Sequence, residues 1–138
     1  MTPRQVALVQ ESWKRVQPIA DQAAGLFYAR LFELEPAVQA LFKGDMKEQG
    51  RKLMSMIGIA VNSLARLDSI VPAVRALGRR HAGYGVEPRH YAIVYAALVW
   101  TLQQALDRAF TREVEDAWRT AYGVLADTMQ SSAQQEAA

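Results

Sequence analysis

Leu77-Gly78-Arg79-Arg80-His81-Ala82-Gly83-Tyr84-Gly85-Val86 is the stretch on which the fold is read. Counting back from His81, Val74, Leu77 and Gly78 stand at i−7, i−4 and i−3, spacings that share one face of a helix. His81 therefore lies on the apolar face. Gly83 and Gly85 follow at once, and both permit the left-handed backbone that ends a helix. The imidazole is placed in a last helical turn, where a neutral ring can bind a metal. Taken alone, the position equally suits a core histidine with a hydrogen-bond partner.

Working outward, the flanking segments read as helices. Thr2, Pro3 and Gln5 have the spacing of a capping box with proline in the first turn. Val6, Val9, Trp13 and Val16 then recur at helical steps until Pro18. A second helix runs from Ile19 through Leu26, Phe27 and Leu31, and stops before Pro36. Pro36 opens a short tight helix ending at Leu41 and Phe42, ahead of the turn residues Lys43-Gly44-Asp45. Asp45 with Glu48 has acidic capping-box spacing, and Leu53, Ile57, Val61 and Leu64 predict a long helix from about Met46 to Arg66. Pro72 suits the first turn of the His81 helix. Pro88 to about Arg108 is apolar nearly all round, with Tyr91, Val94, Tyr95, Leu98 and Leu102 on overlapping rows, and is expected to be central and buried. Thr111 caps a last helix with core residues Val114, Trp118, Tyr122, Leu125 and Met129. Past Gln130 the composition turns small and polar, so fraying is expected from about residue 130.

Seven helical segments without an alternating strand pattern make an all-α chain. A simple four-helix bundle would use fewer and longer helices. Short helices beside Phe42 and His81 fit an orthogonal packing around a pocket. The length of 138 residues suits one domain, spanning residues 1–138. The 16 basic and 14 acidic side chains leave a net charge of +2 and are interleaved, so no stripe for nucleic acid is expected. The longest apolar run, Tyr91 to Trp100, is about half a membrane span. With no secretory pattern at the N-terminus, a soluble cytoplasmic protein is expected. Cysteine is absent, which excludes disulfides, thiolate metal sites and a thioether-linked haem.

In this order the segments resemble the globins, in particular the single-domain bacterial haemoglobins related to the globin part of flavohaemoglobins. The likeness runs from Pro3 to about Met129. It is carried by Glu11-Ser12-Trp13-Lys14-Arg15, by Leu26-Phe27-Tyr28-Ala29-Arg30-Leu31-Phe32, and by Glu35-Pro36 with Phe42 six residues later. Gln49 to Met54, Leu77 to Val86, His90-Tyr91 and Ala117-Trp118 continue it. The resemblance implies a three-over-three helical sandwich around a haem pocket, holding noncovalent haem b (iron protoporphyrin IX).

It further implies that His81 is the proximal iron ligand and Phe42 the aromatic packed on the porphyrin. Leu53, Leu77, Val86, Tyr91 and Val94 are implied as further cofactor contacts. Lys52, Arg79 and Arg80 are candidate propionate partners. On the other face it places Tyr28 as a phenolic donor, Gln49 as an amide donor and Leu53 as an apolar neighbour. Read without the family, Tyr28 also suits a core tyrosine bonded to a carbonyl, and Gln49 a solvent-facing side chain. Ala24 and Gly50 match small positions where two helices cross closely. His90 reads as surface or as support to the site. In flavohaemoglobins a glutamate of the last helix, with a tyrosine, bonds the proximal histidine. Tyr91 matches that tyrosine, but Ala133 stands where the glutamate should be, with Glu136 three residues away. This weakens an expectation of peroxidase-like chemistry.

The expected function is reversible binding of dioxygen at a five-coordinate iron, for storage, delivery or scavenging. Carbon monoxide and nitric oxide are further expected ligands. The alternative is an enzyme, a nitric oxide dioxygenase reduced by a separate reductase, because no flavin or nicotinamide motif is read in the sequence. A haem-based sensor would need an output domain, and a haem-free scaffold is the remaining reading. A monomer or weak dimer is expected.

Overall fold

In the computed structural model residues 1–137 are described, with side chains described through residue 132. Six α-helices account for most of the described chain: α1 (Pro3–Val16), α2 (Ala20–Leu34), α3 (Met46–Asn62), α4 (Val71–Gly83), α5 (Pro88–Leu106) and α6 (Arg112–Ala137). Short 3-10 turns at Gln17–Ile19, Pro36–Leu41, Leu64–Ser69 and Asp107–Ala109 join them. No strand is found among the described residues.

The helix starts follow local chemistry. Gln5 N–H donates to Thr2 Oγ1 at 3.1 Å while Thr2 N–H donates to Gln5 Oε1 at 3.0 Å, so the reciprocal cap is formed. Val114 N–H donates to Thr111 Oγ1 at 3.2 Å and starts α6. At α3 the cap differs from the expected box: Asp45 Oδ1 accepts from Lys47 N–H at 2.9 Å.

One boundary is corrected. The α-helix expected to reach Arg66 ends at Asn62, because Arg66 takes a non-helical backbone (φ −144°, ψ 55°) and a 3-10 turn carries Leu64 into the core instead. In the polar stretch that begins at about residue 130, the side chain of Ser132 is among the described residues. That side chain is 3% exposed and bonded to α4, and α6 runs on to Ala137.

Helix α1 packs on α3, α5 and α6, α2 packs on α3 and α5, and α4 packs on α6. The centre is built on Trp13 and Trp118, with ring centroids 6.1 Å apart. Trp118 Nε1–H donates to Ser12 Oγ at 2.8 Å, which lets both polar atoms be buried. Val9, Val16, Leu31 and Leu102 are the largest fully buried side chains. No packed interface joins α3 to α4.

Candidate functional site

The residues expected for the site stand on α2, α3, α4 and α5 and on the segments between them. At 100° per residue, His81 sits about 40° around α4 from Leu77 and about 60° from Gly78. Gly78 is buried against α6, so His81 and Leu77 share the flank turned away from that contact. Both are half-buried. Gly85 (φ +92°) turns the chain after α4, whereas Gly83 keeps helical geometry. A Cβ on Gly85 would lie 3.5 Å from Leu41 Cδ2, which brings the end of α4 beside the Phe42 segment.

His81 Nδ1 lies 2.8 Å from the Leu77 carbonyl oxygen. A carbonyl only accepts, so Nδ1 carries the proton and Nε2 keeps its lone pair. Burial pushes the His81 pKa below its usual value, with a smaller push from the Arg80 guanidinium, against the bond to Leu77. The ring is thus held neutral, in the tautomer that presents Nε2 as a donor atom, the arrangement that metal-binding imidazoles use. Phe42 after the 3-10 turn Pro36–Leu41, Leu53 on α3, Leu77 on α4, Val86 just past α4 and Val94 on α5 are all half-buried. A neutral imidazole with a free ring nitrogen is the kind of ligand that would suit an iron porphyrin.

Tyr28 is placed by a close crossing of α2 and α3. A Cβ on Gly50 would stand 3.0 Å from Ala24 Cβ and 3.9 Å from Tyr28 Cε2, so the small pair lets the two backbones meet as the sequence suggests. The Tyr28 ring meets Phe27 at 5.2 Å, Phe42 at 5.3 Å and Phe32 at 6.0 Å. The structure therefore brings Tyr28 and Phe42 together. Burial pushes the Tyr28 pKa up to about 12, which keeps the phenol protonated and a donor. Its hydroxyl donates to the Gln49 backbone carbonyl at 3.4 Å, a long bond.

Gln49 is half-buried, and its side-chain amide donates to the Lys43 carbonyl, in the turn where Gly44 has φ +97°. The amide is engaged with the loop, an outcome that its place in the sequence does not reveal. Lys52 is exposed and pairs with Glu48 at 3.7 Å, Arg80 is exposed, and Arg79 Nη1 donates to Ser132 Oγ at 3.0 Å. Tyr91 is half-buried and lines a groove of about 250 Å³ between α5 and α6, together with Tyr95, Arg119 and Tyr122. Tyr122 donates to the Tyr91 backbone carbonyl at 2.6 Å. The side chains of Ala133 and Glu136 lie outside the described residues.

His90 is not a surface residue: it is 7% exposed, and its Nδ1 accepts from Glu87 N–H at 2.8 Å, fixing the start of α5. It serves a helix end. Ser132 and the backbone of Met129, both against α4, were not signalled by the sequence. Neither has a residue type that marks a role.

A family model for globins matches residues 25–129. The chain is 29% identical to a flavohaemoprotein of Bacillus subtilis strain 168 over 88% of its own length and 31% of the relative's. It is 29% identical to a neuroglobin of Danio rerio, covering 94% of this chain and 90% of that one. It thus spans about a third of the flavohaemoprotein but nearly all of the neuroglobin. Among solved structures, an engineered carbene transferase, a nitric oxide dioxygenase-like globin of Rhodothermus marinus, superposes with a TM-score of 0.88 at 25% identity, over 98% of this chain and 94% of that one. A hexacoordinated haem protein of an anhydrobiotic tardigrade shares the fold, with a TM-score of 0.86 at 18% identity, over 97% and 96% of the two chains. Fold, helix order and family match agree, and the chain belongs to the globin family, whose members characteristically bind haem.

Proposed function

We propose that this globin binds haem b noncovalently through His81 Nε2 and binds dioxygen reversibly, for storage or delivery. The observation that carries the reading is the state of His81. Its proton is committed to the Leu77 carbonyl, its ring is neutral, and Nε2 has no protein partner among the described residues. Held by His81, haem would supply an iron able to take a diatomic gas.

The protein's own residues divide the remaining work. Leu77 orients the imidazole through its carbonyl. Phe42, Leu53, Val86 and Val94 hold water away with apolar surface. Tyr28 offers a neutral phenol whose present bond to Gln49 is long, so turning the proton toward a ligand costs little. Gln49 must first leave the Lys43 carbonyl, which ranks it behind Tyr28 as a donor. Lys52 and Arg80 are the exposed cations we assign to the propionates. In the same proposal the protein is cytoplasmic, and a monomer or weak dimer.

A second reading, nitric oxide dioxygenation to nitrate with electrons from a separate reductase, is favoured by the likeness to the flavohaemoprotein and to the Rhodothermus marinus globin. The two readings share the Tyr28 donor and part on turnover: sustained nitric oxide consumption on adding a flavin reductase supports the enzyme.

The experiment for the first reading is stopped-flow release of dioxygen and carbon monoxide. A hydrogen bond to a partly charged partner contributes about 1.5 to 3 kcal/mol. At about tenfold per 1.4 kcal/mol, Tyr28→Phe is expected to speed dioxygen release by roughly one to two orders of magnitude. Carbon monoxide release should change much less, and Gln49→Leu should have the smaller effect on dioxygen. Equal dioxygen release from wild type and Tyr28→Phe would remove Tyr28 from the role.

A further inference from the structure

Serine seldom earns full burial by its apolar surface, yet Ser132 on α6 is 3% exposed. Its hydroxyl donates to the Arg75 carbonyl at 3.0 Å and accepts from Arg79 Nη1 at 3.0 Å. Both partners belong to α4, six and two residues before His81. Between them Gly78 lies so close to α6 that a Cβ there would stand 2.3 Å from the Met129 carbonyl oxygen. Three points along one face of α4 are thus held by one turn of α6, from Met129 to Ser132.

The two kinds of contact do different things. The glycine contact sets how near the helices come, but a bare glycine surface offers no resistance to rotation. The Ser132 bonds are directional, and they grip α4 on either side of that contact. A helix is about 5 to 6 Å in radius with its side chains, so a turn of about 10° about its axis moves a side-chain tip by about 1 Å. Such a displacement decides whether an imidazole nitrogen points squarely at a metal.

We propose that Ser132 is a positioning residue for His81: by bonding Arg75 and Arg79 it fixes the rotation of α4 and so the direction of His81 Nε2. The inference rests on the proposed ligand role of His81, and its first readout does not require haem. Ser132→Ala and Ser132→Thr are compared with wild type in two states. In the haem-free protein, NMR reports the His81 ring nitrogens and Cε1–H. In the haem-loaded ferrous protein, resonance Raman reports the iron–imidazole stretch.

Ser132→Ala is expected to shift the His81 ring resonances and to shift or broaden the iron–imidazole band, with helical content and the Trp13 and Trp118 indole signals unchanged. Ser132→Thr, which keeps the hydroxyl, is expected to restore both. Wild-type His81 resonances in folded Ser132→Ala, or equal behaviour of the Ala and Thr variants, would overturn the proposal. Should Ser132→Ala lose helical content, Ser132→Thr and Ser132→Val, matched in bulk, replace it. A difference between them supports the hydroxyl's role, and identity overturns it. Failure of the wild type to take up haem would refute the function proposed above while leaving the haem-free readout of Ser132 intact.

Discussion

Replacing Gly78 by alanine sets two opposed effects against each other at the contact that carries the His81 helix. The added Cβ would stand 2.3 Å from Met129 O, 2.6 Å from Met129 Cα and 2.8 Å from Met129 C. Ordinary contacts begin at about 3.5 Å, so α4 and α6 must part by roughly 1 Å. The obstacle is backbone, which cannot rotate aside as a side chain can. Overpacking of this kind costs about 1 to 3 kcal/mol. Alanine is the better helix former by about 1 kcal/mol, which offsets part of the loss. The difference is about 0 to 2 kcal/mol, and the clash with three backbone atoms puts the expected destabilisation at the upper end of that range. Gly25, in the middle of α2, is the matched control, since a Cβ there meets nothing within 4 Å. Gly25→Ala should gain about 1 kcal/mol from helix propensity alone. Urea unfolding of the haem-free proteins measures both, provided the slopes agree. A Gly78→Ala midpoint at or above wild type would refute the close crossing of α4 and α6.

Two further outcomes follow from the backbone and from titration. Asp107 is the one non-glycine among the described residues with positive φ (49°, ψ −117°), a conformation that costs about 1 to 3 kcal/mol for a side-chain-bearing residue. Asp107→Gly should therefore raise the urea midpoint despite the added freedom of the unfolded chain, and a lowered midpoint would mean that the strain is absent. The raised Tyr28 pKa means that the folded state holds its proton more tightly than the unfolded chain. Its stabilising share is complete below the ordinary tyrosine pKa of about 10 and is lost as pH rises from there toward 12. Burial and the neighbouring Tyr91 and Tyr95 raise Tyr122 in the same direction. Tyr28→Phe should flatten the alkaline fall in stability measured by urea titrations between about pH 9 and 11.5. An unchanged profile would contradict the burial of the phenol.

What could be read from the sequence is what local chemistry determines. The Thr2 and Thr111 caps, and the prolines at 36, 72 and 88, start segments where propensity and capping dictate, with no help from distant residues. The crossing at Ala24 and Gly50 was implied by the globin resemblance, and it forms because only small side chains allow backbones to meet. The last turn expected in α3 was misread because Val61 and Leu64 keep helical spacing across a kink: the 3-10 turn buries the same face. The surface reading of His90 failed because histidine takes the place of the usual glutamate or glutamine three residues after the Glu87 cap, where its ring accepts from the cap's N–H.

The site divides along the same line. Spacing places His81 on an apolar helix face, whereas the roles of Phe42 and Tyr28 were implied by the globin resemblance. Which atom each polar group bonds does not follow from spacing. The Gln49 amide is taken by a loop carbonyl that the φ +97° turn at Gly44 brings within reach. Ser132 sits in a stretch whose composition argues for solvent, and it is buried only because α4 passes over it with a carbonyl and a guanidinium to satisfy its hydroxyl.

The central claim is that His81 holds an iron porphyrin, and one comparison tests it most directly: visible spectra of ferrous wild type and His81→Ala after haem reconstitution, each with and without dioxygen. The account predicts stoichiometric haem uptake by wild type, an imidazole-ligated spectrum and a reversible change on adding dioxygen. It predicts loss of that spectrum in His81→Ala with helical content largely retained, since the tryptophan-centred core does not include the imidazole. An unaltered wild-type spectrum in His81→Ala, or a wild-type protein that takes up no haem, would contradict it.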